Sequence, residues 1–451
     1  MEVFSIPHGG RYLLYFPFRR RVLVGNAALV SLVHQANKGE TSALQRLRDT
    51  FGDKYDDIWL DEPRGHALCA RQQWGPFRPT SVSLLLTEDC TLRCRYCYAH
   101  GGRSRQTMPW EIVTGAIDAI FDNAAAADCP TVTVNFHGGD AGAVWPLFVR
   151  TRDYLRDRET SRGIHVVTSV GTNGVLHDAQ RRWLTENIDS ATLSADGPPA
   201  IHDSQRILPD GSPSSDFVMK TMQHFDRVKF PYGIRGTITA RSVSRMDEIA
   251  QYLCANSAAQ RIQMEPVFPR GRAAGGNVRA PGAREFVDNF RKARKVAATF
   301  GRRLCYSGAR LDVLTNVFCK ACGDSCVVTP KGDITSCYEV ADAADPLAGV
   351  FFFGRYDPRT RALAVDDARR KRLFGLSVLD QPLCQDCFCK WHCAGDCPAK
   401  VLAAQTMDRE DLPDRCLINR ELTKDQLVAA LGSLPTGMSH DVELSVPAIA
   451  R

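Results

Sequence analysis

Three thiols fall within eight residues in "EDCTLRCRYCY" (88–98), where Cys90, Cys94 and Cys97 are spaced C-x3-C-x2-C. Thiolates are soft ligands suited to zinc, Cu(I) and iron–sulfur clusters. A structural zinc ion closes its tetrahedron with four protein ligands, and here a fourth thiol is missing. His100 is near enough in sequence to complete a Cys3His zinc site. The alternative is a four-iron cluster on three cysteines, with one iron left open to a small molecule. Ten more cysteines lie between 319 and 416, in two groups. In the first, Cys319 precedes Cys337 by twelve residues, Gly332 and four residues more, with Cys322 and Cys326 between them. The second reads Cys384-x2-Cys387-x5-Cys393-x3-Cys397, with Cys416 after a further eighteen residues and Cys389 outside the spacing. Pairs of C-x2-C alone also suit zinc ribbons.

The whole chain has 451 residues and seventeen cysteines, an odd number. Its first residues lack the charged, apolar and small-residue pattern of a signal peptide. No apolar run approaches the roughly eighteen residues that span a bilayer. The expected compartment is the cytoplasm, where thiols serve metals or catalysis rather than disulfides. Cys69, Cys129, Cys254 and Cys305 stand alone and read as small buried hydrophobes. The composition, 44% hydrophobic and 24% charged, is that of a globular protein. A net charge of +6 spread along the chain does not point to nucleic acid. The basic clusters at 19–21 and 291–295 read as solvated faces.

These thiols need a scaffold, and the chain supplies a repeating one. Residues 1–78 form a first unit, with strands in "RYLLYFP" and "RRVLVG", a helix opened by Asn26, and a second helix stopped by Gly52. "GPFRPT" (75–80) is a Pro/Gly linker. From 79 to 305 apolar strands alternate with helices. The strands are predicted at 82–86, 131–137, 164–171, 190–195, 232–240 and 261–268, the helices near 109–126, 177–188, 216–228 and 244–256. Six such units imply an α/β fold with a parallel sheet and right-handed crossovers. An open doubly wound sheet and an incomplete barrel both satisfy the pattern, and both put reactive groups at the carboxyl ends of the strands. The three cysteines directly follow the first strand. A cysteine-dense, loop-rich C-terminal domain is expected over 306–435, where regular periodicity fades from about Cys319 apart from a hairpin turning at Lys331–Gly332. The remaining tail, 436–451, is polar and reads as loosely ordered.

C-x3-C-x2-C after the first strand of a β/α repeat, with aromatic Tyr96 before the third cysteine, strongly resembles the radical S-adenosylmethionine (SAM) superfamily. The resemblance implies an incomplete (β/α)6 TIM-like barrel and a [4Fe–4S] cluster on Cys90, Cys94 and Cys97. SAM would chelate the open iron and be cleaved by one electron to methionine and a 5′-deoxyadenosyl radical, which abstracts hydrogen. "HGGD" (137–140) resembles the family's Gly-Gly-Glu segment, with Asp140 in place of Glu, and places Gly138 and Gly139 beside the methionine amine. "TNG" with Asn173 ends the third strand, as is common in the family. "LSADGPPAIHDSQR" (193–206) is similar to the stretch in which Ser194 meets the polar end of SAM. Arg206 or Arg235 would pair with its carboxylate, and Val267, in a stretch resembling the last barrel strand, would pack near adenine. The bland alternatives are surface arginines and a plain core valine.

The C-terminal cysteines resemble the SPASM extension of the same superfamily, which holds two auxiliary iron–sulfur clusters. By that resemblance Cys384, Cys387, Cys393 and Cys416 hold the second auxiliary cluster. Cys319, Cys337, Cys397 and Cys322 hold the first, with Cys326 competing for the fourth place or that place left open, and Cys389 is a spectator. Three clusters and SAM are thus the implied cofactors, and a flavodoxin- or ferredoxin-like one-electron reductant the implied partner. The SPASM branch mostly modifies peptides and proteins, so the expected function is hydrogen abstraction from a ribosomally made precursor peptide, giving an oxidative modification or crosslink. The alternative is a sulfatase-maturating, formylglycine-forming enzyme. In that subclass an Asp base follows the cysteine after the turn, where this chain has Tyr338 and then Glu339, the two candidates for proton transfer. A non-enzymatic iron–sulfur or zinc scaffold is the reading from another class. The small first unit is similar to winged-helix domains that hold leader peptides at a sheet edge.

Overall fold

The computed structural model describes residues 2–59, 63–275, 278–406, 411–431 and 441–442. The N-terminal unit opens with three antiparallel strands, β1 (Phe4–His8), β2 (Arg11–Phe16) and β3 (Arg21–Gly25). The sequence predicted β2 and β3. It hid β1, because Pro7 is tolerated only where no partner needs its N–H, as at this sheet edge. Asn26 caps the helix Ala27–Asn37, its Oδ1 accepting from Leu29 N at 2.9 Å, and Gly52 at φ 49° ends the helix Thr41–Phe51. One face of the sheet packs on these helices through Leu14, Phe16, Leu29 and Leu47. The other face lies on the C-terminal cysteines, where Ile6, Leu13 and Tyr15 meet Phe388, Cys389 and Cys393. The Tyr15 hydroxyl donates to His392 Nε2 at 2.5 Å, and the other ring nitrogen donates to Val313 O at 2.7 Å. The free edge of β3 pairs in parallel with β15 (Asp441–Val442); the rest of the tail read after Pro435 lies outside the described residues.

The six predicted strands are all present as β4 (Ser81–Leu85), β5 (Thr131–His137), β6 (His165–Thr172), β7 (Ser190–Ser194), β8 (Tyr232–Ile238) and β9 (Arg261–Pro266). They lie side by side in chain order and all run parallel. The sheet continues beyond the prediction at both ends. β10 (Arg303–Cys305) adds in parallel to β9. The predicted hairpin, β11 (Val327–Val328) and β12 (Asp333–Thr335), turns at Gly332 with φ 83° and pairs β11 in parallel with β4. Antiparallel β13 (Phe352–Asp357) and β14 (Ala362–Val365) complete an open eleven-stranded sheet.

Two long helices escaped the sequence reading, Trp145–Arg162 and Ala283–Thr299. The first buries only Phe148, Thr151 and Leu155 along its length, so it carries almost no apolar stripe to detect. The core is shared between segments. Val82, Val134 and Phe136 pack with Val328, Ile334 and Phe353, while Leu193, Ile249 and Phe286 pack with Ile418 and Leu422 of the C-terminal helix Asp411–Leu431.

Candidate active site

The loop bearing Cys90, Cys94 and Cys97 leaves the carboxyl end of β4 and is fixed from three sides. The end of β5 grips it through Gly139 N–Thr87 O at 2.9 Å and Asp140 N–Asp89 O at 3.0 Å. A Cβ on Gly139 would stand 1.7 Å from Asp89 O, so only glycine permits this approach. The segment after β7 accepts Arg93 N and Arg95 N at Ile207 O and Gln205 O. From beyond β9, Arg272 donates Nε to Cys94 O at 2.7 Å and Nη1 to Gly101 O at 3.0 Å.

The three sulfurs each face N–H donors. Cys90 Sγ accepts from Leu92 N at 3.4 Å and Asn173 Nδ2 at 3.5 Å, Cys97 Sγ from Gly101 N at 3.3 Å, and Cys94 Sγ lies 4.0 Å from Arg206 Nη1. Burial pushes the Cys90 thiol up and the Cys94 thiol up to about 11. Such thiols ionise when a cationic centre binds them, and the N–H donors then stabilise the thiolates. The donor set therefore fits a cluster. His100, the proposed fourth zinc ligand, lines an adjoining groove rather than the cavity that holds the sulfurs. Among the described residues no three His, Cys, Asp or Glu side chains converge on a single ion.

The sulfurs line one side of a cavity of about 380 Å³ at the carboxyl ends of the strands. Every SAM-contacting residue predicted from sequence, Tyr96, Gly138, Gly139, Asp140, Asn173, Ser194, Arg206, Arg235 and Val267, lines the same cavity. Their partners differ in kind. The buried Asp140 accepts from Gly142 N at 2.7 Å and Asn173 N at 2.8 Å, so its carboxylate joins the ends of β5 and β6. Arg206 is paired with the fully buried Asp196 at 3.1 Å and lies over the Tyr96 ring, whose hydroxyl donates to Asp196 Oδ2 at 2.5 Å. The guanidinium of Arg235, on the inner face of β8, has no hydrogen-bond or ion-pair partner among the described residues. Val267 is buried against Cys94 and Tyr96.

The opposite wall comes from the C-terminal segment. Tyr338 and Glu339, the predicted proton-transfer pair, both reach the cavity. Tyr338 OH is 2.6 Å from Ser83 Oγ, and burial raises its pKa. Glu339 pairs with Lys400 Nζ at 3.6 Å. Lys400 and His137 are cavity residues that sequence reasoning passed over. His137 sits on the inward face of β5, as strand alternation with Thr133 and Asn135 indicates, and stacks on Tyr338 at 4.8 Å. Its Nδ1 accepts from Gly138 N at 2.8 Å, and burial with the nearby Arg235 lowers its pKa to about 4, leaving the imidazole neutral near pH 7. A groove of about 620 Å³ between the cysteine loop and residues 330–346 shares Tyr98, His137, Arg270, Tyr338 and Glu339 with the cavity.

Ten further thiols lie in the C-terminal segment. Burial chiefly raises Cys322 and Cys337, and charges on Cys319 and Cys397 raise both further, whereas Cys326 is raised by burial alone; Cys326 and Cys337 both pack in the main core. Burial chiefly raises Cys393, followed by Asp396 and then Cys416, Cys387 and Cys384. Cys389 hydrogen-bonds to Cys387 and thereby lowers it.

No protein-family model matches the chain. The chain is similar to the serine-type anaerobic sulfatase-maturating enzyme of Klebsiella aerogenes, 24% identical over 340 residues that cover 70% of this chain and 78% of that one. It is also similar to the sporulation killing factor maturation protein SkfB of Bacillus subtilis, 22% identical over 53% of this chain and 55% of that protein. Matches to cysteine-type clostridial sulfatase-maturating enzymes span about half of those proteins, 48% for that of Clostridium novyi. Among solved structures, anSMEcpe with bound AdoMet superposes with a TM-score of 0.61 at 17% identity, covering 78% of this chain and all of the other. These relatives and structural neighbours are radical SAM/SPASM enzymes, and the chain is similar to them in sequence and fold. Likeness to the radical SAM/SPASM enzymes implies a [4Fe–4S] cluster, SAM, and oxidoreductase-type catalysis on peptides or proteins. Among the described residues no helix is long and apolar enough to cross a membrane.

Proposed function

We propose that this radical SAM/SPASM enzyme abstracts hydrogen from a residue of a ribosomally made precursor peptide and completes an oxidative modification or crosslink. The observation that carries the reading is the meeting of the SAM-side residues with Tyr338 and Glu339 in one cavity, reached by a groove. Bound at Cys90, Cys94 and Cys97, a [4Fe–4S] cluster would supply the electron that cleaves SAM into methionine and a 5′-deoxyadenosyl radical. Arg235, unpaired and cationic, receives the SAM carboxylate. Arg206, already paired with Asp196, shapes the wall beside Cys94. Ser194 and Asn173 present polar groups to the methionine end, Gly138 and Gly139 bring backbone close to its amine, and Val267 covers adenine.

Oxidation of the substrate removes one hydrogen atom, then one proton and one electron. Glu339 is the better proton acceptor of the pair, because a carboxylate ionises far below a phenol whose pKa burial raises further. Lys400 holds it in place. Cys319, Cys322, Cys337 and Cys397 would hold one auxiliary cluster and Cys384, Cys387, Cys393 and Cys416 a second, groups that would supply an acceptor for that electron. The N-terminal sheet acts as the leader-binding module. Its β3 edge accepts a parallel strand, and its opposite face rests on the Cys389–Cys393 segment. A second reading, formylglycine formation in a sulfatase, is favoured by the coverage of the Klebsiella enzyme. It is disfavoured by Tyr338 standing where that subclass carries its Asp.

The test is anaerobic turnover with a precursor peptide encoded beside the gene and, in parallel, a sulfatase peptide. The precursor is expected to lose two hydrogens with 5′-deoxyadenosine formed. Glu339→Gln should keep SAM cleavage while lowering peptide product about 100-fold. Formylglycine in the sulfatase peptide with an unmodified precursor would replace this reading by the second.

A further inference from the structure

We propose that a basic pocket on the outer side of the three-cysteine loop docks an acidic one-electron carrier protein. The inference rests on the reading that this chain cleaves SAM reductively, and it assigns the face through which the electron arrives. The pocket, of about 650 Å³, is lined by Arg95, Arg241, Arg245 and Arg279 together with Gln205 and Val278, and no carboxylate lines it. Arg245 is neutralised by a bidentate pair with Glu248 at 2.6 and 2.7 Å. Arg95, Arg241 and Arg279 are exposed and have no ion pair among the described residues. Three uncompensated guanidinium groups around one concavity repel each other unless a negative surface covers them.

The pocket adjoins the cluster loop directly. Arg95 follows Cys94 in the chain, and its N–H is held by Gln205 O at 2.8 Å. Val278 packs on the apolar group of Leu92, Cys94 and Tyr96 that backs the cysteines. Arg279 O accepts from Ala240 N at 2.9 Å, which fixes the segments carrying Arg241 and Arg279 together. No residue lining this pocket also lines the SAM cavity or the groove that leads to it. A carrier seated here would approach the cysteines without obstructing SAM or peptide. Each turnover oxidises the carrier by one electron, and that electron ends in the broken sulfur–carbon bond of SAM, giving neutral methionine and the deoxyadenosyl radical.

The concavity and the surplus positive charge favour a folded acidic protein, which complementary charge steers to the site at low salt. An acidic stretch of the peptide substrate is the competing occupant, and the experiment separates the two. The double variant Arg241→Glu/Arg279→Glu leaves every residue of the SAM cavity in place. With reduced acidic flavodoxin as donor, its SAM cleavage should fall at least about 10-fold at about 50 mM salt, and flavodoxin binding should weaken by a similar factor. Wild-type binding should also weaken as salt rises to about 500 mM. With dithionite as donor, 5′-deoxyadenosine formation should match the wild type, which shows that the cluster and SAM site are intact. Unchanged flavodoxin binding, or loss of precursor-peptide binding alone, would overturn the proposal. A wild type inactive with dithionite would instead overturn the underlying reading of SAM cleavage.

Discussion

Replacing Gly139 by Ala is expected to abolish SAM cleavage and to lower the melting midpoint of the protein. The added Cβ would lie 1.7 Å from Asp89 O and 2.6 Å from Asp89 C, both backbone atoms that cannot rotate away. The end of β5 must then separate from the cysteine loop. That movement breaks Gly139 N–Thr87 O and Asp140 N–Asp89 O, the bonds that hold the loop to the sheet. Overpacking of this kind costs about 1–3 kcal/mol, and losing the two buried hydrogen bonds adds about 1 kcal/mol each. Gly349→Ala provides the control, since its Cβ would meet nothing within 4 Å at an exposed position of a short helix. Equal melting behaviour and equal SAM cleavage in the two variants would show that β5 does not hold the cysteine loop.

The second large effect is expected at Arg235. Its guanidinium lines the cavity from β8 with no hydrogen-bond or ion-pair partner among the described residues, while Arg206 at the same cavity is already paired with Asp196. A hydrogen-bonded charge is worth about 1.5–3 kcal/mol, so Arg235→Gln should raise the dissociation constant of SAM roughly 10- to 100-fold. Binding is read by equilibrium titration of the reconstituted enzyme. Arg206→Gln should instead destabilise the protein, because it leaves the fully buried Asp196 carboxylate without its counter-charge. A larger loss of SAM affinity in Arg206→Gln than in Arg235→Gln would reverse the assignment.

The parallel sheet was legible because its strands alternate cleanly and end in residues with visible chemistry. In "TVTVNFH" the inward face and the outward face separate at every second residue, and the "HGGD" and "TNG" segments follow at once. Asn26 and Gly52 marked helix ends by side-chain capping and by left-handed backbone, both local properties. What stayed hidden depended on distant partners. β11 has two residues, and nothing in them announces that β4 is their neighbour. The helix Trp145–Arg162 is covered in charge and betrays itself by few apolar contacts. Lys400 meets Glu339 only because the segments after Cys337 and Cys397 fold to one point. The choice between Cys322 and Cys326 was likewise open in the spacing. Burial raises both thiols, and of the two only Cys322 also feels Cys319 and Cys397, which supports Cys322 as the proposed ligand.

The central claim is that Cys90, Cys94 and Cys97 hold a cluster that opens SAM. Its most direct measurement is iron content together with 5′-deoxyadenosine formed from SAM and dithionite, in anaerobically reconstituted wild type and Cys94→Ala. The account predicts iron-rich wild-type protein that forms 5′-deoxyadenosine, and a Cys94→Ala variant that forms none. Zinc with only trace iron in the wild type, or undiminished 5′-deoxyadenosine from Cys94→Ala, would contradict it.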